Sequence, residues 1–482
     1  MTGFDAIVVG AGPNGLAAAV TLARAGLSVR VYERNPTIGG GARTSELTLP
    51  GFHHDVCSAV HPMALASEFF QEFELEKRIE LLLPEASYGH PLDGGRAGIA
   101  YRDLARTADG LGRDGAAWQS LFGPLVEHAS DVAHFTGFPL VRVPRNPVTV
   151  ARFGLRVLEQ GLPSWNLRFH ESVAPAMLTG VGAHSIRPLP SPSTAAAALA
   201  LATYAHARGW PIPVGGSQSI VDATAADIVA HGGEIVTGTE ITSLDELPSA
   251  RAVLFDVSPK ALARLAGSAF PDRYLRSLGG FSYGNAVAKV DFALSGPVPW
   301  TNPELHGAGT LHVGGTRAEI AAGERRVALG QHARSPYVLV AQPSILDPSR
   351  APEGKHVLWA YTHVPRNSGV DQTEAVTAQI ERFAPGFRDV ILESASMTAV
   401  DMQNYNPNYV GGDIATGSAS VRQLIARPVL SPDPWRTPAT GIYLASSATP
   451  PGPGVHGLAG WHAANSALRH EFDLPSPSLA LD

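Results

Sequence analysis

The chain has 482 residues, a formal net charge of −7 and a single cysteine, Cys57. This length is too great for one compact core, and 44% hydrophobic with 16% charged residues is typical of a folded globular protein. The negative charge argues against nucleic acid or an anionic membrane as the main partner, and one cysteine excludes an intrachain disulfide, CxxC redox chemistry and a cysteine-based metal site.

The first forty-odd residues carry the strongest pattern in the chain. An apolar run over 6–9 leads into a turn with three glycines, an alanine-rich helix and a second apolar run that ends at Glu33. The glycines are Gly10, Gly12 and Gly15. They allow a tight turn, a close approach of the backbone to a diphosphate, and close packing of helix on strand. With Glu33 placed to bind a ribose, the stretch predicts a dinucleotide-binding unit.

A second glycine-rich stretch follows this unit. Gly39, Gly40 and Gly41 with Arg43 predict another approach of the backbone to the same phosphates. The guanidinium of Arg43 is suited to a bidentate phosphate contact. The next residues, 51–62, mix apolar and polar side chains without a helical or strand period, as segments that line sites often do.

The middle of the chain is predicted to be mostly helical. A helix is predicted over 65–82, and 85–205 has a helical pattern that prolines interrupt. Within it, 148–158 places four apolar residues on one helix face. They are Val150, Phe153, Val157 and Leu158. We predict that this face packs on the core; contact with a membrane surface is the alternative.

Strand signals return in the second half of the chain. The segments 234–236 and 240–244 predict paired strands, and 251–257 predicts another. From about 285 to 420 strand-like runs dominate and predict a second domain built on a mixed sheet. The chain then returns to a strand over 441–447 and a glycine-rich turn that starts a last helix.

Four stretches together resemble the glutathione-reductase-like FAD flavoproteins, and within them the phytoene desaturase-like branch. That branch includes carotenoid desaturases, retinol saturase and pyridine nucleotide-disulphide oxidoreductase domain proteins. The stretches are GAGPNGL with Glu33, GGGAR at 39–43, GGSQSIVDATAADIVAHGGEIVTGTEITSL at 215–244 and GIYLASSATPPGPGVHGLAGWHAA at 441–464. The resemblance spans nearly the whole chain.

The resemblance implies an α/β fold: a Rossmann-like, glutathione-reductase-like FAD-binding domain with an inserted α+β substrate domain built on a mixed sheet. The implied FAD-binding domain is discontinuous and comprises 1–84, 206–284 and 421–470. The implied substrate domain comprises 85–205 and 285–420, and 471–482 form a loose C-terminal tail.

The resemblance also implies which residues hold FAD. Glu33 would bind the adenosine ribose, and Ile241 would contact adenine through its backbone. The turn before the last helix would lie under the flavin, where the helix dipole stabilises negative charge. Relatives usually have glycine and an acid at the tip of the final strand, where this chain has serines. The implied residues are Gly10, Gly12, Pro13, Asn14, Gly15, Glu33, Arg34, Gly40, Gly41, Arg43, Ile241, Ser446, Ser447, Gly454, Val455 and His456.

The predicted function is that of an FAD-dependent oxidoreductase of the desaturase, dehydrogenase or saturase type. It would act on carbon–carbon bonds of an apolar or polyene-like small molecule by hydride exchange with flavin N5. No second GxGxxG frame occurs, so electrons are expected to pass to oxygen, a quinone or another carrier. His61 is the first candidate for an acid or base, followed by His456 and Tyr405, and a packing role is the alternative for each. No metal site is predicted.

Two other functions stay open from the sequence. One is an amine or amino-acid oxidase on the same fold, for which Tyr405, Tyr409 and Trp461 are a hint of an aromatic cage. The other is a non-enzymatic FAD- or lipid-binding carrier or scaffold. No apolar stretch reaches membrane-spanning length, and the protein is expected to be cytoplasmic. Peripheral membrane contact and a homodimer are left open.

Overall fold

The computed structural model describes residues 3–481, which form two main sheets and the helices around them. The strands are β1 Phe4–Val9, β2 Val29–Tyr32, β3 Thr44–Glu46, β4 His53–Asp55, β5 Leu81–Leu82, β6 Ala86–Leu92, β7 Arg96–Tyr101, β8 Ile212–Pro213, β9 Glu234–Val236, β10 Ala250–Phe255, β11 Ala286–Leu294, β12 Thr310–Val313, β13 Val338–Ala341, β14 His356–Val364, β15 Ile391–Met397 and β16 Ile442–Leu444. The α-helices are α1 Pro13–Arg24, α2 Glu68–Glu72, α3 Leu75–Arg78, α4 Leu104–Gly110, α5 Gly115–Glu127, α6 Ala129–Thr136, α7 Pro147–Gly161, α8 Val173–Ala183, α9 Pro192–Ala207, α10 Gln218–Ala230, α11 Pro259–Ala266, α12 Asp272–Gly279, α13 Arg317–Ala328, α14 Thr373–Glu381, α15 Phe387–Val390, α16 Ala399–Tyr405, α17 Val421–Ile425 and α18 Leu458–Ala467.

The first sheet is parallel and has the strand order β16-β10-β1-β2-β9. Successive side chains of a strand point to opposite faces, so Ala6 and Val8 join the core under α1 and α18. Ile7 and Val9 join the core on the other face, with α11 and α12. Burial on both faces explains why β1 is apolar almost throughout rather than alternating.

The second sheet has the order β15-β11-β14-β13-β12-β6-β7. Its neighbours run antiparallel except for β12 and β6, which pair in parallel at Leu311 and Gly89. The mixed sheet predicted from the sequence is therefore confirmed, as is the α/β fold with a Rossmann-like parallel sheet.

Several predicted elements differ from the structure. The hairpin of β6 and β7 lies in 85–205, which was expected to be helical; every residue of β6 is buried, so the strand has no alternating pattern that would identify it. The predicted pairing of 234–236 with 240–244 does not form. Glu234–Val236 pairs with β2 in the parallel sheet, whereas 240–244 forms no strand. The helix predicted over 65–82 is divided into α2, α3 and β5.

The C-terminal residues are attached to the parallel-sheet core, which differs from the loose tail predicted for 471–482. Leu479 is buried in the core under α1. The guanidinium of Arg24 donates to the carbonyl of Ala480 at 2.6 Å, and that of Arg78 donates to the carbonyl of Leu479 at 3.1 Å. Leu479 and the two arginines therefore hold this segment against the core, although its prolines favour a loose tail.

The two ends of the chain meet where α1 crosses α18. A Cβ at Gly460 would overlap the carbonyl oxygen of Asn14, so only glycine allows this close approach of the two helices. The crossing brings the N-termini of both helices to one side of the parallel sheet. Of the helices in residues 3–481, none is both long and apolar enough to cross a membrane.

Candidate cofactor and substrate site

A cavity of about 550 Å³ extends from the carboxyl ends of the parallel strands to the second sheet. Ligands of open parallel sheets bind at this edge, and the volume is in the usual range for ligand pockets. The predicted cofactor residues that line the cavity are Gly10, Gly12, Pro13, Asn14, Glu33, Arg34, Gly40, Gly41, Arg43, Ile241, Ser446, Ser447, Gly454 and Val455. Gly15 and His456 are not part of the lining.

The glycine turn forms a cradle with no room for side chains. Gly10 has a φ of +104°, and a Cβ at Gly12 would lie 2.6 Å from Oδ2 of Asp256. A Cβ at Gly15 would overlap the carbonyl oxygen of Gly10, which shows that this glycine serves packing. Because the N-cap of α1 is Gly12, no side chain of the N-cap satisfies the first N–H groups. Such a helix start attracts a diphosphate.

Glu33 is buried at the end of β2 and is held by its neighbours. Its carboxylate accepts from the backbone N–H of Ala11 at 3.0 Å and from Asn35, and lies 3.5 Å from the guanidinium of Arg43. The N–H of Thr239 donates to the carbonyl of Glu33, which places the segment with Ile241 beside it. The carboxylate retains lone pairs for ribose hydroxyls, because each oxygen accepts more than one hydrogen bond.

The second glycine stretch lies directly over the first. A Cβ at Gly40 would come within 3.1 Å of the Cα of Gly12, and one at Gly41 would overlap the hydroxyl of Tyr409. Arg43 donates to backbone carbonyls at 37 and 38 as well as facing Glu33. The guanidinium therefore organises the loop as well as lining the cavity.

Arg427 is a functional candidate that sequence reasoning missed. Its side chain is fully buried and lines the cavity; Nε donates to the carbonyl of Ser447 at 2.9 Å and Nη2 to that of Ala415 at 3.2 Å. Nη1 has no partner, and within residues 3–481 no carboxylate forms an ion pair with this arginine. Burial lowers its pKa to about 10. No motif surrounds Arg427, so the sequence offers no signal for it.

A second unsatisfied group lies beside Arg427. Nδ2 of Asn14 donates to Oγ of Ser447 at 3.2 Å, while Oδ1 of Asn14 is buried without a partner. A buried cation and a buried amide oxygen left unpaired are costly, and a ligand that bonds to them removes that cost. The diphosphate and the ribityl hydroxyls of FAD offer an anion and hydrogen-bond donors. The residues present therefore fit FAD.

Asp256 is a titratable group at the same helix start. Its Oδ2 accepts from the backbone N–H of Gly15 at 3.0 Å. Burial, with a smaller contribution from the nearby charge of Glu33, raises its pKa to about 7. Near neutral pH the carboxyl is therefore divided between neutral and charged forms, and only the neutral form is free of repulsion with a diphosphate.

Away from the cradle the cavity becomes an apolar arm. Its lining there is contributed by α6, α7, α9 and the segment that follows α6. The residues are Phe135, Thr136, Phe138, Leu140, Phe153, Ser193, Ala196, Ala197, Ala200, Leu201 and Tyr204. None of them is acidic or basic, so this arm favours an uncharged ligand.

Aromatic side chains of the second sheet form another part of the wall. Trp359 and Tyr361 come from β14, and Tyr409 lies next to Cys57. Of the three aromatics named for an amine-oxidase cage, Tyr409 lines the cavity, whereas Tyr405 and Trp461 do not. Burial raises the pKa of the Cys57 thiol, which makes a thiolate unfavourable there.

His61, the first candidate for an acid or base, lines the cavity. Its Nε2 lies 2.8 Å from Oγ of Ser217, and that hydroxyl donates to the carbonyl of Ser58 at 2.5 Å. The hydroxyl must then accept from His61, so Nε2 carries the proton and the partnerless Nδ1 carries a lone pair. Burial lowers the pKa of His61 to about 4, which keeps the ring neutral.

His456 and Tyr405 lie outside the cavity lining. Nδ1 of His456 accepts from the N–H of Leu458 at 3.0 Å, and Nε2 donates to the carbonyl of Gly452 at 3.1 Å. Both ring nitrogens are therefore occupied in holding the turn before α18. The hydroxyl of Tyr405 donates to the carbonyl of Gly40 at 2.7 Å and supports the second glycine stretch. Within residues 3–481, no cluster of His, Cys, Asp and Glu could hold a metal ion.

Several known proteins are similar to this chain in sequence or fold. Residues 8–73 match the family model described as an NAD(P)-binding Rossmann-like domain. The chain is 25% identical to pyridine nucleotide-disulfide oxidoreductase domain-containing protein 2 of Rattus norvegicus, over 97% of this chain and 93% of that protein. It is 24% identical to the neurosporene-forming phytoene desaturase of Rhodobacter capsulatus, over 94% and 92% of the two chains. The solved structure of cyclohexylamine oxidase from Brevibacterium oxydans is similar with a TM-score of 0.61 and 16% identity, over 98% of this chain and 100% of that one.

The Rossmann-like sheet and the relatives that match nearly the whole chain support the class of an FAD-dependent oxidoreductase for this protein. Within that class, the resemblance to the phytoene desaturase-like and pyridine nucleotide-disulphide oxidoreductase domain-type flavoproteins is confirmed over nearly the whole chain. FAD is its cofactor, as the sequence predicted.

Proposed function

We propose that this protein exchanges hydride between FAD and a carbon–carbon bond of an apolar or polyene-like small molecule, as a desaturase, dehydrogenase or saturase. The observation that carries the proposal is one cavity that joins the glycine cradle of α1 to an uncharged, apolar arm. When bound, FAD supplies the hydride donor or acceptor at N5. The residues of the protein then hold the substrate, exclude water and set the charge around the site.

We assign cofactor binding to the part of the chain with the parallel sheet and substrate binding to the part with the mixed sheet. Residues 1–84, 206–284 and 421–470 bind FAD, while 85–205 and 285–420 bind the substrate. In this assignment the residues implied by the resemblance hold the cofactor, and Arg427 joins them through its free Nη1.

His61 is proposed to orient the substrate or the cofactor through the lone pair on Nδ1. Its low pKa makes it a weak base, so an acceptor of a hydrogen bond is a better role than a carrier of a full proton. His456 and Tyr405 are proposed to position the two glycine turns, because their polar atoms already bond to backbone groups.

An amine oxidase is the second candidate, and the aromatic wall of Trp359, Tyr361 and Tyr409 favours it. The solved amine oxidase with this fold supports the same possibility. Against it, the apolar arm carries no acidic side chain that would bind an ammonium group. The absence of charge in the arm makes the apolar substrate our first choice.

The test is anaerobic reduction of the purified flavoprotein by two panels of compounds. We expect a partly saturated apolar compound to reduce the oxidised flavin, or an unsaturated one to reoxidise flavin that has first been photoreduced. Primary amines should leave the flavin absorption unchanged. The reverse result, with peroxide formed from amines in air, would replace the proposed function with amine oxidation. The electron acceptor and the cytoplasmic location stay predictions from the sequence, and a homodimer stays open.

A further inference from the structure

A pair of histidines lies where the apolar arm meets the mixed sheet. His184 is the C-cap of α8, which packs against α9 and β12, and its Nε2 lies 2.8 Å from Nε2 of His312. The ring of Trp210 meets both imidazoles edge-on, at centroid distances of 5.8 and 5.9 Å. His184 lines the cavity, whereas His312 is completely buried outside the lining. The pair is therefore held by its neighbours and is open to a ligand at one end.

The turn after α8 belongs to the cavity wall. His184, Ser185 and Ile186 all contribute to the lining. Ile186 has a φ of +52°, a strained conformation for a β-branched residue. Its side chain is buried in an apolar cluster with Leu339 and Tyr361, which line the same cavity. Strain of this kind is retained where the surrounding structure requires it, and it is concentrated at functional sites.

The histidine pair leaves one polar atom for a ligand. Burial lowers the pKa of His184 to about 3 and that of His312 well below its usual value, so both rings are neutral near neutral pH. Two neutral rings that meet at their Nε2 atoms have one proton between those atoms. Nδ1 of His312 is buried without a partner. Nδ1 of His184 also has no partner within residues 3–481, but it is not enclosed.

The position of the shared proton decides what His184 offers to a ligand. If Nε2 of His184 carried it, the proton of His312 would be on Nδ1, as a buried N–H with nothing to accept it. Buried N–H groups without an acceptor are rarer in proteins than buried acceptors without a donor. The shared proton is therefore assigned to His312, and His184 carries its own proton on Nδ1. The open atom is then a neutral hydrogen-bond donor.

We propose that the N–H of His184 binds an oxygen of the substrate, which makes the substrate an apolar molecule with a carbonyl or hydroxyl group. A pure hydrocarbon would bury this donor unpaired, whereas an oxygen acceptor removes the cost. An ammonium group would face a donor, and a carboxylate would find no charge on the neutral ring. That this ligand is the substrate rests on the proposed function; the hydrogen bond itself does not require hydride exchange.

The experiment compares two matched probes on the FAD-loaded protein without oxygen. They are geranylacetone and the analogue in which a methylene group replaces its carbonyl oxygen. Tryptophan fluorescence and the flavin absorption measure each Kd. We expect the wild type to bind the ketone about tenfold more tightly, as one hydrogen bond to an otherwise unpaired donor would give. His184→Phe/His312→Phe removes the donor together with its partner and should bind both probes equally.

His206→Phe is the matched control, because His206 is a buried histidine outside the cavity lining. It bonds to the indole N–H of Trp118 and the carbonyl of Tyr101, so its loss should lower stability and leave the ketone preference unchanged. Equal affinity of the wild type for both probes, or a preference that persists in His184→Phe/His312→Phe, would overturn the proposal. A ketone that binds with this preference but never exchanges hydride with the flavin would refute the proposed function and support the hydrogen bond.

Discussion

The N-terminus of α1 is surrounded by charges that must be balanced when an anion binds. Arg427 brings a buried guanidinium with an unpaired Nη1, whereas Asp256 and Glu33 bring carboxyls. Ser446 and Ser447, which also line the cavity, add no charge at this end. The balance of these residues decides how tightly FAD binds, and each contribution can be measured separately.

Replacing Arg427 should weaken FAD binding more than it weakens the fold. In Arg427→Met the diphosphate loses a charge-assisted hydrogen bond, which we expect to reduce affinity by about tenfold or more. Fluorescence titration of the FAD-free protein measures the affinity, and Arg427→Lys should retain part of it. Unchanged affinity in Arg427→Met would show that Nη1 does not face the cofactor.

FAD affinity should fall as pH rises through the pKa of Asp256. This pKa is raised from 3.8 to about 7, so the folded protein holds the proton more tightly than the unfolded chain. Stability from this group is therefore complete at low pH and is lost progressively as pH rises from about 4 to about 7. A bound diphosphate favours the neutral carboxyl further. We expect about tenfold weaker binding at about pH 8.5 than at about pH 6.

The control for this pH dependence is Asp256→Asn. The amide still accepts from the N–H of Gly15 and carries no charge at any pH. Its FAD affinity should be nearly constant over the same range. An equally steep decline in this variant would assign the pH dependence to another group.

His61 tests whether any side chain assists the chemistry. His61→Ala removes the Nδ1 lone pair, and the loss of this one orienting hydrogen bond should lower the rate of flavin reduction about tenfold at full FAD occupancy. Ser217→Ala is the companion variant, because it leaves the ring in place but removes its partner. Unchanged reduction by His61→Ala would eliminate the proposed role.

Among the elements, the crossing of α1 and α18 positions both ends of the cofactor site. Gly460→Ala places a methyl group against the carbonyl of Asn14, and we expect a loss of about 2 kcal/mol or more of stability together with reduced FAD retention. Gly123→Ala in α5 is the control, since nothing lies within 4 Å of its Cβ position. That control should be neutral or slightly stabilising. Thermal unfolding of both variants measures the difference in stability. If Gly460→Ala were as stable as the control, α1 and α18 would be able to move apart and accommodate the methyl group.

The elements that could be predicted are those with a local cause. The glycine turn and the apolar run of β1 are encoded within a few residues, and so is the turn before α18. The hairpin of β6 and β7 is stabilised by neighbours distant in sequence, such as Leu311 opposite Gly89, and its residues carry no strand period of their own. The short strand β9 likewise depends on its pairing with β2.

At the scale of the whole molecule, the sequence indicated that its two ends share one cofactor, because each end carries part of a known pattern. It did not indicate Arg427, whose importance comes from burial and an unpaired atom that only the folded chain has. It also placed Leu158 inside, although half of its surface is exposed, because an apolar periodicity does not distinguish a core-facing side from an exposed one. Long-range packing and exposure are the properties that the sequence alone could not show.

The absorption spectrum of the purified protein shows whether this fold and cavity hold FAD. We expect flavin bands, FAD in the supernatant after denaturation, and their loss in Gly12→Leu, whose side chain would fill the cradle beside Asp256. A colourless wild-type protein that takes up no added FAD, or a Gly12→Leu variant that retains it fully, would contradict the account.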